Sequence, residues 1–311
     1  METTIEGPDD RRDYPAPAVG PARSPFRLDL SKLDWRTILP YLAAAGVLLA
    51  LVWPTLAWWG YEYSKPESYY AHAPAIPFIV LLMLWYHRES LAATPKRAAP
   101  EALIVLLPAV ALHVIARGIK TEALESMSFL AIIWSSVWLA LGPKFLRKAA
   151  GPLAFLILMA PLPGPLLNDS TLRIQMLSTV FANKLLHLVG FNTNLTGNVI
   201  TMDNFSLSVD VPCSGFKLLL SYLTFSAAFA YLVDGPRWKR WAVFVFSVPL
   251  SLVVNAVRIA LIGVVGECVS SPAAHVFHDW SGMLTLVLGF IALFSVAKVL
   301  GCRKFAGWDI F

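Results

Sequence analysis

Residues 209–220 read VDVPCSGFKLLL, which sets Cys213 in a Pro/Ser/Gly turn where a polar stretch meets the first turn of an apolar helix. A cysteine attacks as the thiolate, and both a nearby cation and a helix N-terminus favour that form. Lys217, four residues on, stands one helical turn from the sulfur. Two readings are open on these residues: a reactive nucleophile, and a small side chain fitted into a tight turn. Further along, NAVRIAL spaces Asn255 and Arg258 three apart, on one face of an apolar helix. An arginine there is costly, so it is either paired and functional or snorkelling to the headgroups. The stretch SSPAAHVFHDWSGM then presents His275, His278 and Asp279. Each histidine is a candidate acid or base, or an incidental loop residue, and Asp279 is a candidate helix cap.

A cysteine, an arginine and a histidine from three separate stretches suit thiol acyl transfer. The thiolate attacks an amide carbonyl, the imidazole protonates the leaving amine, and a cationic donor stabilises the oxyanion. Arginine fits the last role because it stays charged and holds its donors in a fixed fork. His278, nearer the apolar helix that follows, is better placed than His275 to reach the leaving nitrogen.

The elements that must position these groups are membrane helices. Of 311 residues, 57% are hydrophobic and 14% charged, and mean hydropathy is +0.62, which excludes a soluble domain. Apolar stretches recur at about 38–59, 73–86, 101–116, 124–142, 150–163, 215–233, 241–264 and 282–300. The expected fold is an all-α polytopic membrane protein of about eight transmembrane helices. Lys and Arg cluster before the first span and after the second, fourth, sixth and eighth, so both termini are expected in the cytoplasm and the protein in the cytoplasmic membrane. That topology accounts for the net charge of +5 without a nucleic-acid partner.

Residues 1–34 are expected to form a disordered cytoplasmic tail, 35–304 the transmembrane domain, and 305–311 a short cytoplasmic tail. No cleavable signal is read at the start; the Arg11–Arg12 pair lies too far from the first apolar stretch. Trp53, Trp58, Trp59, Trp238 and Trp241 fit interfacial belts. The long outward segment 164–212 begins with an amphipathic pattern, Leu172, Met176, Val180, Leu185 and Leu188 set against Arg173, Gln175, Asn183 and Lys184, expected to lie at the membrane surface. It ends in the strand-like FSLSVDV. Together these predict a small extracytoplasmic cap leading into Cys213. No histidine has metal-ligand spacing and there is no Gly-rich phosphate loop, so no metal or cofactor is expected. A Cys213–Cys268 disulfide is the alternative that would silence the nucleophile.

VPCSGFKLL, NAVRIAL and HDWSG, in this order before and within the last helices, resemble the exosortase/archaeosortase family of membrane transpeptidases. PLPGPLLNDSTLRIQ and SYYAHAPAIPFIVLLMLWYHR extend the resemblance over about 35–300. It implies a cysteine endopeptidase/transpeptidase acting in sorting of the PEP-CTERM type. Its partners would be secreted proteins carrying a C-terminal signal (a Pro-containing motif, a membrane helix and a basic tail) and an acceptor such as a lipid or polysaccharide. Carried over, Cys213 matches the family cysteine, Arg258 the arginine and His278 the histidine, with Asn255 and Lys217 supporting and His275 a rival. Phe216 departs from the smaller aliphatic residue commoner there, which would adjust the substrate groove. The competing class is a non-catalytic membrane scaffold or carrier on the same frame, marked by loss of one of these residue types; none is missing.

Overall fold

The computed structural model describes residues 35–65, 68–210, 215–302, 304–305 and 308–309. The expected tail at 1–34 and Cys213 itself lie outside them. The chain divides into two compact units, Met1–Ala50 and Leu51–Phe311. The described part of the first is the beginning of helix α1 (Trp35–Ser64), with Leu42, Val47 and Leu49 exposed.

The second unit carries the rest. After α1 come α2 (Ile76–Tyr86), α3 (Arg88–Ala92), α4 (Leu103–Gly118), α5 (Glu122–Leu141), α6 (Pro143–Ala154) and α7 (Gly164–Leu188), then strands β1 (Asn194–Thr196), β2 (Val199–Thr201) and β3 (Ser206–Ser208). Helices α8 (Phe216–Leu232), α9 (Arg237–Cys268) and α10 (Ser271–Val299) follow, and the hairpin β4 (Lys304–Phe305) and β5 (Trp308–Asp309) comes last. The hairpin folds back on the bundle, Phe305 stacking on Phe229 at 5.3 Å.

Of the eight expected spans, fewer meet the length and hydropathy of a membrane-crossing helix. Among the described residues five helices are long and apolar enough to cross a membrane: Leu42–Ser64, Pro100–Gly118, Glu122–Leu141, Arg237–Cys268 and Ser271–Val299. There are six if the bent pair Pro143–Met159 and Gly164–Leu188 counts as one. The stretches expected at 73–86 and 215–233 are shorter helices, Ala73–Tyr86 and Phe216–Leu232. The 17 residues of α8 reach only about 26 Å at ~1.5 Å per residue, short of a hydrocarbon core of about 30 Å. The span expected at 150–163 instead breaks by 81° before α7; Pro161, Pro163 and Pro165 remove the amide donors a continuous helix would need.

Helix α7 exists where an amphipathic helix was expected, and the side it packs on its neighbours is made of small and polar residues. Thr171, Gln175, Ser178, Thr179, Ala182 and Leu186 are buried, while Leu172, Met176 and Leu188 are exposed. Apolar side chains gain nothing by leaving lipid, so helix contacts in a membrane form from small and polar residues that approach closely and hydrogen-bond. Trp59, assigned above to an interfacial belt, is instead buried and donates to Ser126 Oγ at 3.0 Å. Trp53, Trp238 and Trp241 are exposed.

The strands form an antiparallel meander in the order β1-β2-β3, with Leu195 opposite Ile200 and Ile200 opposite Leu207. Ile200, Met202 and Val209 pack with Ala182 and Leu186 of α7 and Ile259 and Ala260 of α9. The turn between β2 and β3 is pinned to the end of α9, where the Glu267 carboxylate accepts from the Asn204 backbone at 3.0 Å and its amide at 2.8 Å. A Cβ on Gly266 would meet the Phe205 ring at 2.4 Å, so the contact requires glycine. The meander is thus fixed on α7 and α9, and the chain leaves it at Asp210 toward the cysteine.

Candidate active site

The described residues on either side of Cys213 each have defined surroundings. Gly215 caps α8 in the left-handed conformation, φ 81°, and a Cβ there would come within 2.5 Å of Asn255 Nδ2. Glycine is therefore needed for the turn and for the close approach to α9. On the other flank, Asp210 helps line a cavity of about 200 Å³ with Phe205, Leu207 and Ser208 of the meander and His275 and His278 of α10. The residue two positions after Cys213 touches the Asn255/Arg258 face of α9, and the residue three before it faces the histidines.

Arg258 is not a snorkelling anchor. It is 7% exposed, well inside a helix that runs on to Cys268. Its Nε donates to Ser281 Oγ at 2.9 Å and its Nη2 to the His278 carbonyl at 3.1 Å. Ser281 Oγ donates to the same carbonyl at 3.0 Å. Two of its five donors thus fix the plane of the guanidinium beside the His278 backbone. Ser281 lay within HDWSG, but nothing in its spacing marked it as a partner of an arginine 23 residues earlier.

Helix α10 begins at Ser271, not near 282 as the hydropathy pattern suggested. Ser270 caps it, accepting from Ala273 N at 3.3 Å, with proline in the first turn. This local signal outweighs the polar composition of HVFHD. His275 and His278 therefore both sit on helix, and Asp279 is two turns too late to be its cap. Instead Asp279 Oδ1 faces His278 Nδ1 at 3.2 Å. An ionised carboxylate only accepts, so Nδ1 carries the proton in this bond. The His278 side chain is 30% exposed, whereas His275 is exposed. His278 thus joins the buried cluster through its backbone carbonyl and also lines the cavity.

Lys217 is half-buried on the first turn of α8 and forms no ion pair among the described residues. Phe216 is buried, edge-on to Tyr69 at 5.6 Å. Cys268 is an exposed free thiol near the end of α9; its expected rival partner, Cys213, lies outside the described residues. Among the described residues no group of three His, Cys, Asp or Glu is placed to hold a metal ion.

The other two motif stretches are tied to each other. Tyr70 Oη accepts from the Leu162 backbone at 2.8 Å, and Tyr63 donates to the Met159 carbonyl at 2.7 Å. Between them His72 is buried, its Nδ1 without a partner among the described residues. Burial pushes its pKa down to about 4. Hydropathy had marked this stretch only as the start of a span.

No curated protein and no solved structure matches the chain. Residues 58–295, from the second half of α1 nearly to the end of α10, match the family model of the transmembrane exosortases (Exosortase_EpsH). With its apolar helices and the ordered cysteine, arginine and histidine motifs, the chain is a multi-pass membrane protein that belongs to the transmembrane exosortase family.

Proposed function

We propose that the protein is a cysteine transpeptidase that cleaves C-terminal sorting signals of secreted proteins at the outer face of the cytoplasmic membrane, with both termini inside, and passes the acyl group to an acceptor. The observation that supports this reading is the bond from Arg258 to the carbonyl of His278, a residue that also lines a cavity with Asp210, three positions before Cys213. The cavity has an apolar wall, Phe205 and Leu207, and a polar lip, Ser208, Asp210 and the two histidines. Such a lining suits a short peptide segment entering beside the thiol.

In the first half-reaction the Cys213 thiolate attacks the scissile carbonyl carbon. A C–S bond forms and the carbonyl electrons move to oxygen, where Arg258 offsets the charge. Collapse breaks the C–N bond, and His278 delivers its proton to the departing amine. In the second, neutral His278 takes a proton from the acceptor nucleophile, which attacks the thioester and regenerates the thiolate. Asp279 orients the ring through Nδ1, and Lys217, four residues after the cysteine, favours the thiolate.

The test is to incubate the reconstituted protein with a sorting-signal substrate and look by mass spectrometry for an acyl adduct on Cys213, released by hydroxylamine. Cys213→Ser and Cys213→Ala should lose both adduct and processing while remaining folded in the membrane. Processing by the serine variant at a rate near that of the unaltered protein would rule out thiolate chemistry, because the hydroxyl has a far higher pKa.

A further inference from the structure

At the opposite end of α8 and α9 lies a larger cavity, of about 380 Å³, that the proposed reaction does not use. Phe155, Tyr231 and Phe244 form its walls; Arg237, Arg240 and Trp241 stand on the first turn of α9. Arg240 is held in place, donating from Nε to the Ala230 carbonyl at 2.5 Å and from Nη2 to the Tyr231 carbonyl at 2.6 Å. Its guanidinium lies over the Tyr231 ring at 5.9 Å, and Tyr231 is itself anchored to His87 Nε2 at 2.9 Å. Arg237 is exposed. Neither arginine has a carboxylate partner among the described residues.

The electrostatics of this corner are unbalanced in one direction. A helix N-terminus carries partial positive charge and normally takes acidic side chains. That of α9 has no acidic residue in its first turn, its N-cap is Pro236 with no side-chain acceptor, and it adds the arginines instead. Exposed Trp238 and Trp241 mark this turn as lying at the level of the headgroups.

We propose that this corner binds one anionic glycerophospholipid, its phosphate between Arg237, Arg240 and the amide end of α9, and the start of an acyl chain along Phe155 and Phe244. The cavity is too large and too apolar for a free phosphate, and basic pockets between membrane helices take acidic lipid headgroups by this combination of charge and wall. A lipid seated there ties the α8–α9 turn at the end remote from Asn255 and Arg258.

The test uses the full-length protein, delipidated in neutral detergent and titrated separately with phosphatidylglycerol, phosphatidylcholine and inorganic phosphate. The readouts are the thermal midpoint and the lipids retained in native mass spectra. Phosphatidylglycerol should raise the midpoint saturably and leave one retained lipid; phosphatidylcholine and phosphate should do neither. Arg237→Gln, an exposed change that keeps the Arg240 clasp, should weaken retention about fivefold, the amount expected for one cation near a lipid phosphate. Arg147→Gln, an exposed arginine on α6, should change nothing. Equal effects of phosphatidylcholine would overturn the proposal, as would full stabilisation by phosphate alone. Retention unchanged in Arg237→Gln, or weakened equally by Arg147→Gln, would also sink it.

Discussion

Among the described residues, two of the buried polar clusters differ in one respect. Where α1, α4 and α5 meet, Thr55 donates to Glu125 Oε1 at 2.5 Å, and His113 Nε2 lies 3.3 Å from Thr55 Oγ1. His113 Nδ1 lies 3.0 Å from Ser128 Oγ and 3.2 Å from the Glu125 carbonyl. Both ring nitrogens face partners, and His113 is 0% exposed. Where α9 and α10 meet, Arg258, Ser281 and His278 make an equally well-bonded set, but His278 also lines a cavity. Polar groups within a membrane protein must be satisfied in either case. What separates a strut from a candidate catalyst here is room for another molecule.

The comparison is sharpened most strongly at His278. Replacing it by alanine should slow processing by roughly 10² to 10⁴, the usual worth of one positioned acid or base, whereas His275→Ala should cost less than about tenfold. The reverse ranking, measured on the same substrate, would move the role to His275. Arg258→Lys comes next. Lysine keeps the charge but loses the planar fork that Ser281 and the His278 carbonyl hold, so about 2–4 kcal/mol of transition-state stabilisation should go. Turnover equal to that of the unaltered protein would return Arg258 to a structural role.

At His72, charging the buried ring costs stability. Its pKa in the fold, about 4, lies below the ordinary histidine value of about 6.5, so the unfolded chain takes up the proton first. Stability should be full above about pH 6.5 and fall as pH drops toward 4, by up to roughly 3 kcal/mol. His72→Gln should flatten that profile in a thermal-shift series, and an unchanged slope would remove His72 as its origin. The smallest effect on the reaction belongs to the closed cluster. His113→Gln should lower stability by about 1–3 kcal/mol through unsatisfied neighbours, yet leave the processing rate per folded molecule unaltered. A selective loss of rate would show that the two clusters are coupled.

Much of the fold was legible because hydrophobic runs and helix breakers act locally. The stretches read at 101–116, 124–142 and 241–264 correspond to α4, α5 and α9, and FSLSVDV contains β3. The start of α10 was legible too, in Ser270 and Pro272, but hydropathy does not register a cap. The inner face of α7 was not. In water an apolar stripe points to the core, but beside lipid it can point outward, so the pattern of Leu172, Met176 and Leu188 says nothing about which side packs.

The sequence by itself determined the solvent, the order of the motifs and the residue types available for chemistry, since these depend on composition and short-range spacing. Only the tertiary structure decided that Arg258 is clasped by Ser281 and the His278 backbone, that Gly215 rests on Asn255, and that His278, more than His275, joins the buried cluster to the cavity. It also separated His113 from that chemistry. These are contacts between helices far apart in the chain, formed where small residues let backbones approach, and helix periodicity cannot encode them because it specifies a face and never its partner.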